Sequence, residues 1–323
     1  MVCFNFFILV NINNGDFMKV RLGYACITNC INDSSSSPYT YSEYLKDGDI
    51  DKLDRVIISN LESLSNIIDY NIKNNIHFYR MSSKIIPLAT KDDVKFDYTN
   101  KYKSYYDTIG KKIIDSKMRV DFHPDQFCVL NSVKSDVVSN SVKILEYHYN
   151  LLNMLNIDDK VLILHVGSST FGKDNSISRF INNFNKLPMY LRECIVIEND
   201  DKVFNVNDVL KISKFTGIPV VLDYHHHLCN KSEFSFEDVF NSWGNRKVKM
   251  HFSSPRNKKD YRSHNEYING DDFINFIEIL KKYDRDVDIM LEVKGKDDSL
   301  FRLVRYIKYK TDYKFIDDTT FLV

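Results

Sequence analysis

Eight short apolar runs alternate with longer segments of helical periodicity along this chain. This alternation is typical of parallel β-strands joined by helices. Helical spacing of apolar residues is clearest over 54–75 and 139–156. Eight strand–helix units close most simply into an α/β fold, a single TIM-type (β/α)8 barrel, whereas an open doubly wound sheet rarely needs so many regular repeats. The predicted strands are KVRLGYA (19–25), HFYRMS (77–82), RVDFHP (119–124), VLILHVG (161–167), CIVIEND (194–200), PVVLDYHH (219–226), VKMHFSS (248–254) and DIMLEVKG (288–295).

The length is compatible with one large domain, since α/β barrels reach ~250 residues or more around one core. We predict a barrel domain over residues 18–323, preceded by an N-terminal extension at 1–17. The apolar run 4–10 in this extension is too short to cross a bilayer and lacks the basic start and cleavage site of a signal peptide. We therefore expect no association with membranes.

Charge and cysteine content exclude several classes of protein. The 44 basic and 44 acidic residues cancel, so any nucleic-acid binding must come from a local patch. Six cysteines lack the paired spacing of a disulfide framework or a zinc knuckle, which indicates a reducing, intracellular setting. No glycine-rich phosphate loop follows any predicted strand, so we expect no nucleotide cofactor. A monomer is the expected state.

Potential metal ligands stand at the C-terminal ends of six consecutive predicted strands, where a barrel builds its active site. One such residue alone is more often an ordinary hydrogen-bonding group, but six on consecutive strands predict a shared metal centre. Imidazole and carboxylate donors without thiolates suit Zn²⁺, Mn²⁺ or Fe²⁺, and their number indicates two or three ions. The residues are His123, His165, Glu198, Asp223 with 225–227, His251 and Glu292.

Lys249 is two residues before His251 and therefore points to the same face of its strand. An ammonium group beside divalent cations is repelled. Lys249 is therefore either deprotonated, carbamylated into an anionic ligand, or directed at a substrate phosphate. A solvated lysine is an equally good interpretation of the strand pattern. In the neighbouring triple histidine, 225–227, only one or two side chains can reach the centre.

Eight sequence motifs follow one another along nearly the whole chain. They are RLGYACI (21–27), FYRMSSKIIPL (78–88), HPDQFCVLNS (123–132), LHVGSS (164–169), IENDDKVFNVNDVL (197–210), PVVLDYHHH (219–227), KMHFSS (249–254) and MLEVKGKD (290–297). These motifs resemble, in the same order, those of the ultraviolet damage endonucleases, from about residue 21 to beyond residue 300. The resemblance implies a TIM barrel that nicks duplex DNA immediately 5′ of cyclobutane dimers, 6-4 photoproducts and other lesions.

The resemblance also assigns roles to residues. It places Lys249, Glu198 and Glu292 in the catalytic machinery and favours a carbamylated Lys249. It implies that Tyr24 and the Gln126–Phe127 pair wedge into the duplex at the lesion. The implied cofactor is a cluster of two or three divalent ions, with manganese expected and zinc or magnesium as alternatives, and the implied partner is damaged double-stranded DNA. The implied metal ligands are His123, His165, Glu198, Asp223, His226, His251, His264 and Glu292.

A basic run in the loop after the seventh strand, Arg256, Lys258 and Lys259, can hold phosphates, although such runs are usually only solvated. Two other kinds of function remain open from the sequence. One is a different enzyme on the same fold, either an abasic-site endonuclease or a metal-dependent sugar isomerase. The other is a non-catalytic protein that binds damaged DNA or metal.

Overall fold

The computed structural model describes residues 17–323. Eight parallel strands form the predicted α/β barrel, which is confirmed. The strands are β1 (Lys19–Ala25), β2 (Phe78–Arg80), β3 (Arg119–Asp121), β4 (Leu162–His165), β5 (Ile195–Glu198), β6 (Val220–Asp223), β7 (Val248–Phe252) and β8 (Val287–Leu291), followed by a short antiparallel pair, β9 (Lys314–Phe315) and β10 (Thr320–Leu322).

The strands follow the order β3-β2-β1-β8-β7-β6-β5-β4. The two ends of this order meet through one parallel bridge between Phe122 and Leu162. Backbone hydrogen bonds from Phe122 to Val161 O (3.1 Å) and from Ile163 to Phe122 O (3.0 Å) support that bridge. β10 pairs antiparallel with the first half of β1. The sheet therefore closes, and all eight parallel strands end at the same rim.

Helices surround the barrel and begin and end where local sequence signals favour it. The longest helix, α2 (Ile50–Lys73), starts after Asp49, whose side chain accepts a hydrogen bond from Lys52 N. It buries an apolar stripe that includes Leu53 and Ile57. A 3₁₀ helix spans Lys281–Tyr283. The α-helices are α1 (Tyr41–Asp47), α2 (Ile50–Lys73), α3 (Tyr98–Lys101), α4 (Lys103–Asp115), α5 (Ser135–Met154), α6 (Lys173–Asn185), α7 (Met189–Arg192), α8 (Val206–Thr216), α9 (Tyr224–Cys229), α10 (Phe236–Ser242), α11 (Gly270–Leu280) and α12 (Lys296–Lys310).

Most strands are shorter than the apolar runs predicted. The sixth predicted strand differs in its type of secondary structure, because its last residues, 224–226, form the start of helix α9. Asp223 ends β6 and caps α9 by accepting a hydrogen bond from His226 N at 2.7 Å. The histidine run is therefore helical, and its side chains point in different directions.

One hydrophobic core connects the barrel to its helices and reaches from Met18 to Val323. The predicted extension at 1–17 lies, apart from Phe17, outside the described residues. Within residues 17–323, no helix combines the length and the apolar character needed to cross a membrane. The five cysteines in this part of the chain are free thiols.

Candidate active site

Glu198 lies at the centre of the cluster that the strand ends create. Three groups of potential metal ligands each bring their donor atoms within 4.8 Å of one another, and Glu198 belongs to all three. Its carboxylate is buried at the end of β5. Seven of the eight implied ligands therefore converge. The groups are His123–His165–Glu198, Glu198–Asp223–His226 and Glu198–His251–Glu292.

The two oxygens of Glu198 face different histidines. Oε2 lies 3.0 Å from His123 Nε2 and 3.8 Å from His165 Nε2. Oε1 lies 2.9 Å from His251 Nδ1 and 3.4 Å from His226 Nδ1. Glu198 therefore joins the separate groups of imidazole donors and would help to hold divalent cations at this rim.

Backbone carbonyls orient two of these imidazoles. His123 Nδ1 donates to Pro124 O, and His226 Nδ1 donates to Asn199 O, each at 3.0 Å. A carbonyl can only accept, so each bond places a proton on Nδ1. In neutral His123 this leaves Nε2, the atom that faces Glu198, as the ligand atom. This second contact is typical of histidines that bind metals.

Unsatisfied polar atoms in the cluster support a bound cation. Asp223 is fully buried, and its Oδ1 is used to cap helix α9. Its Oδ2 and the Nδ1 of His165 are buried without a hydrogen-bond partner among the described residues. Buried polar atoms of native proteins are nearly always satisfied. The residues present therefore fit a group of divalent cations.

The protonation states follow from burial and neighbouring charge. Burial raises the pKa of Glu198, but the surrounding imidazoles, with His251 and His165 contributing most, hold this pKa well below its usual range. Burial lowers the pKa values of His165 and His251, which favours their neutral, metal-binding forms. For His226, burial is outweighed by Asp223 and Glu198, which raise its pKa to about 11.

Arg80 is a part of the site that was not among the predicted residues. It ends β2 and is almost fully buried. Its Nη1 donates to Glu292 Oε1 at 2.5 Å, its Nη2 lies 2.7 Å from His251 Nε2, and its Nε lies 3.4 Å from Asp121 Oδ1. Arg80 thus orients the potential ligands Glu292 and His251 from within the barrel. The signal that identified the other residues, a polar residue at a strand end, also applied to Arg80.

Lys249 is buried beneath the cluster, so its interpretations as a solvated side chain and as a direct contact to substrate phosphate are wrong. Its ammonium group pairs with Asp121 and lies 5.2 Å from the centre of the Phe78 ring. Burial lowers the pKa of Lys249 to about 8, although Asp121 opposes the shift. Asp121 was also missed. It lies two residues before His123 on the same face of β3, just as Lys249 lies two before His251.

Only one member of the triple histidine enters the cluster. His225 is buried with its Nε2 3.3 Å from Arg262 O, and His227 packs edge-on against Phe234. His264, which the resemblance implied as a ligand, lies outside the three donor groups, and its ring centre is 6.1 Å from that of His226.

Tyr24 does not face the site, which corrects its implied contact with DNA. It is fully buried in the core, and its hydroxyl donates to Asn71 Oδ1 of α2 at 2.8 Å. Its ring packs against Tyr79 with centres 5.2 Å apart. Tyr24 shares the outward face of β1 with Val20 and Leu22, where the barrel packs against helices. In this position the ring is not available to a duplex.

The other implied DNA contacts lie at the surface of the rim. Gln126 and Phe127 are exposed in the loop after β3, and Gln126 lines a cleft that also contains His165 and His226. Arg256, Lys258 and Lys259 are exposed in the loop after β7. Both loops follow the C-terminal ends of strands, so these side chains surround the same face as the ligand cluster.

The sequence matches the family described as UV-endonuclease UvdE over residues 20–320. It is 36% identical over 298 residues to the UV DNA damage endonuclease of Bacillus cereus (strain B4264), covering 89% of this chain and 94% of that protein. The UV DNA damage endonuclease of Bacillus mycoides (strain KBAB4) is 35% identical over 314 residues, which are 94% of this chain and 99% of that one.

Solved structures give the same relationship. The crystal structure of SacUVDE is similar with a TM-score of 0.83 and 35% identity, covering 90% of this chain and 98% of that chain. Endonuclease IV from Thermus thermophilus has a TM-score of 0.55 at 10% identity, over 90% of this chain and 100% of its own. The second similarity reflects the shared barrel fold alone.

Proposed function

This chain belongs to the UV-endonuclease UvdE family, and we propose that it hydrolyses a phosphodiester bond of damaged duplex DNA immediately 5′ of ultraviolet photoproducts and other lesions. The products are a 3′-hydroxyl and a 5′-phosphate, which opens the strand for excision repair inside the cell. The observation that carries this proposal is the position of Glu198, which is shared by three groups of potential metal ligands at the C-terminal rim of the barrel.

The chain's own residues hold and orient the reacting groups. His123 and His165 face one oxygen of Glu198. The other two groups of potential ligands are Glu198–Asp223–His226 and Glu198–His251–Glu292. We propose two or three manganese ions there, with zinc and magnesium as alternatives. Such ions supply an activated water and neutralise the charge that develops on the phosphate.

Lys249 contributes as a buried ammonium group. Its pairing with Asp121 favours this form over a carbamate, because a carbamate would place two anions together in the barrel interior. The positive charge of Lys249 holds Asp121 next to Arg80, which in turn orients Glu292 and His251. Mass spectrometry of the intact protein in bicarbonate buffer separates the two forms, because a carbamate adds the mass of one carbon dioxide.

Recognition of DNA requires a local surface, because the chain has no net charge. We assign phosphate contacts to Arg256, Lys258 and Lys259, and contact with the lesion to Gln126 and Phe127. An exposed aromatic ring can replace the stacking that a bent duplex loses. Bending and base extrusion cost least where damage has already weakened stacking, and this difference gives selectivity for lesions.

The test is cleavage of a duplex that contains one thymine dimer at a defined position. Purified protein is treated with a chelator and then incubated with the duplex with and without added Mn²⁺, and the nick is mapped to one nucleotide. We expect a metal-dependent nick on the 5′ side of the dimer. Zn²⁺ and Mg²⁺ are tested in parallel.

Two control substrates address the other functions that the fold allows. Cleavage confined to an abasic-site duplex contradicts the proposal in favour of an abasic-site endonuclease, and turnover of free sugars contradicts it in favour of an isomerase. Binding of the dimer duplex without any nick, at full metal content, indicates a binding protein instead.

A further inference from the structure

Two neighbouring loops at the active-site rim each display a phenyl ring at the third position of a hydrogen-bonded turn. In the loop after β3, Cys128 N donates to Asp125 O at 2.9 Å, which closes a four-residue turn with Phe127 in third place. In the loop after β4, Gly172 N donates to Ser169 O at 2.9 Å, and Phe171 has the third place. The two side chains are 73% and 74% exposed. The implied DNA contacts include Phe127, whereas Phe171 has no assigned role.

The two loops are fastened to each other. Asn131 Nδ2 donates to Ser168 O at 2.7 Å, and Ser168 N donates back to Asn131 Oδ1 at 3.3 Å. Arg179 joins both loops, because its Nε donates to Asn131 O at 2.9 Å and its Nη2 donates to Thr170 O at 2.5 Å. The two rings therefore project from one fixed platform.

The backbone of Phe171 is held in an unfavourable conformation. Its φ is 62°, in the left-handed region that an aromatic residue rarely adopts. Asn175 Nδ2 donates to Phe171 O at 2.8 Å and helps to retain this conformation. Strain of this kind persists where the surrounding contacts impose it, and it is concentrated at binding and catalytic sites. Here it accompanies a phenyl ring directed into water, away from any core.

A cleft between these loops leads to the ligand cluster. Its lining includes Gln126 and Val129 from the first loop, Ser168 from the second, and the potential ligands His165 and His226. A DNA strand whose phosphate reaches the cluster would pass between or beside the two turns. The rings lie on the same face as the reaction, which favours DNA over a protein as their partner.

We infer that Phe171 is a second DNA-contacting ring, which packs against unstacked bases of the damaged duplex beside Phe127. This inference rests on the proposed function and deepens it. A rigid aromatic ring stacks on any base without a requirement for sequence, so a pair of fixed rings suits an enzyme that recognises distortion. Phe171 thereby contributes to affinity for the distorted duplex and leaves hydrolysis to the ligand cluster.

The experiment compares Phe171→Ala, Phe171→Trp and wild-type protein, all loaded with Mn²⁺, on the duplex with one thymine dimer. Single-turnover rates over a series of protein concentrations give a half-saturation concentration and a rate at saturation. We expect Phe171→Ala to raise the half-saturation concentration about tenfold, as for loss of one base–aromatic stack, with little change in the saturated rate. Phe171→Trp retains a ring and should stay within about twofold of the wild-type affinity.

The matched control is Phe215→Ala, which removes a ring that is 67% exposed at the C-terminal end of α8, at the opposite end of the barrel. It should leave both values unchanged. An unchanged half-saturation concentration in Phe171→Ala overturns the inference. If wild-type protein leaves the duplex uncut, the proposed function fails. The affinities of the wild-type and Phe171→Ala proteins for the same uncut duplex are then measured by fluorescence anisotropy. Equal affinities in that measurement overturn the inference, whatever the outcome for cleavage.

Discussion

Arg80 Nη1 donates a hydrogen bond of 2.5 Å to Glu292 Oε1, so a buried cation orients one of the carboxylates at the barrel rim. The two residues come from neighbourhoods far apart in sequence, the end of β2 and the residue after β8. The contact therefore depends on closure of the barrel, and it ties the fold to the geometry of the ligand cluster.

Replacing Arg80 with Met should strongly destabilise the metal-free protein. The change leaves Glu292 and Asp121 without their shared buried cation, and removal of one partner from such a network typically costs about 3–5 kcal/mol. Arg80→Lys restores the charge but not the branched geometry, so it should recover only part of the loss. The measurement is the free energy of unfolding in urea after chelation. An Arg80→Met protein as stable as the wild type would show that this network does not support the fold.

The change Glu198→Gln should abolish cleavage while the barrel remains folded. An amide has no negative charge and would hold cations far more weakly than the carboxylate, so we expect the rate to fall at least about a thousandfold. Bound metal, measured by elemental analysis, should fall with it, and the circular dichroism spectrum should not change. His251→Ala should likewise abolish cleavage, since it removes a second ligand. A fully active His251→Ala protein would contradict the assignment of the cluster.

Glu193→Gln is the matched control for this experiment. Glu193 is exposed and lies just before the N-terminal end of β5. The same chemical change therefore occurs at the end of the barrel opposite to the ligands. It should leave metal content and the cleavage rate unchanged. Loss of activity in this control would indicate a general effect of the substitution.

Metal affinity should increase with pH. His226 has a pKa raised to about 11, so in the metal-free protein its imidazole is protonated on both nitrogens and positively charged throughout the neutral range. A protonated imidazole cannot bind metal, so each ion that enters the Glu198–Asp223–His226 group displaces that proton. Below the raised pKa, affinity should therefore rise about tenfold per pH unit. Calorimetry in buffers of different ionisation enthalpy measures the protons released. Affinity independent of pH, without proton release, would contradict this prediction.

Much of the site could be predicted because the barrel fold determines where the end of each strand lies. Parallel strands of a closed sheet end at one rim, so His123, Glu198 and Glu292 could be placed together from strand order alone. The same rule, applied to the strand before His123, identifies Arg80. The pattern of alternating side chains likewise places Asp121 beneath His123, in the same way as Lys249 beneath His251.

The remaining features depend on which way a side chain points and where a strand ends, and an apolar run does not specify either. Tyr24 alternates in step with Val20 and Leu22 and so packs outward, although it comes near the end of its strand. The switch from strand to helix after Asp223 decides that His226, and not its two neighbours, faces Glu198. These orientations follow from caps and tertiary packing, which a single sequence indicates only weakly.

Replacing both Gln126 and Phe127 with alanine should reduce discrimination between damaged and intact DNA, because these exposed side chains lie at the rim and not among the ligands. Base–aromatic contacts are worth about 1–3 kcal/mol each, so the ratio of the affinities for dimer-containing and undamaged duplex should fall about tenfold or more. Binding of undamaged DNA, which depends on exposed cations such as Lys258, should change little. The measurement is the two dissociation constants at one salt concentration, with metal content as the check that the cluster is intact. A double variant that keeps the wild-type ratio would remove this pair from lesion recognition, and it would leave the tied loop that carries Phe171 as the remaining aromatic contact beside the cleft.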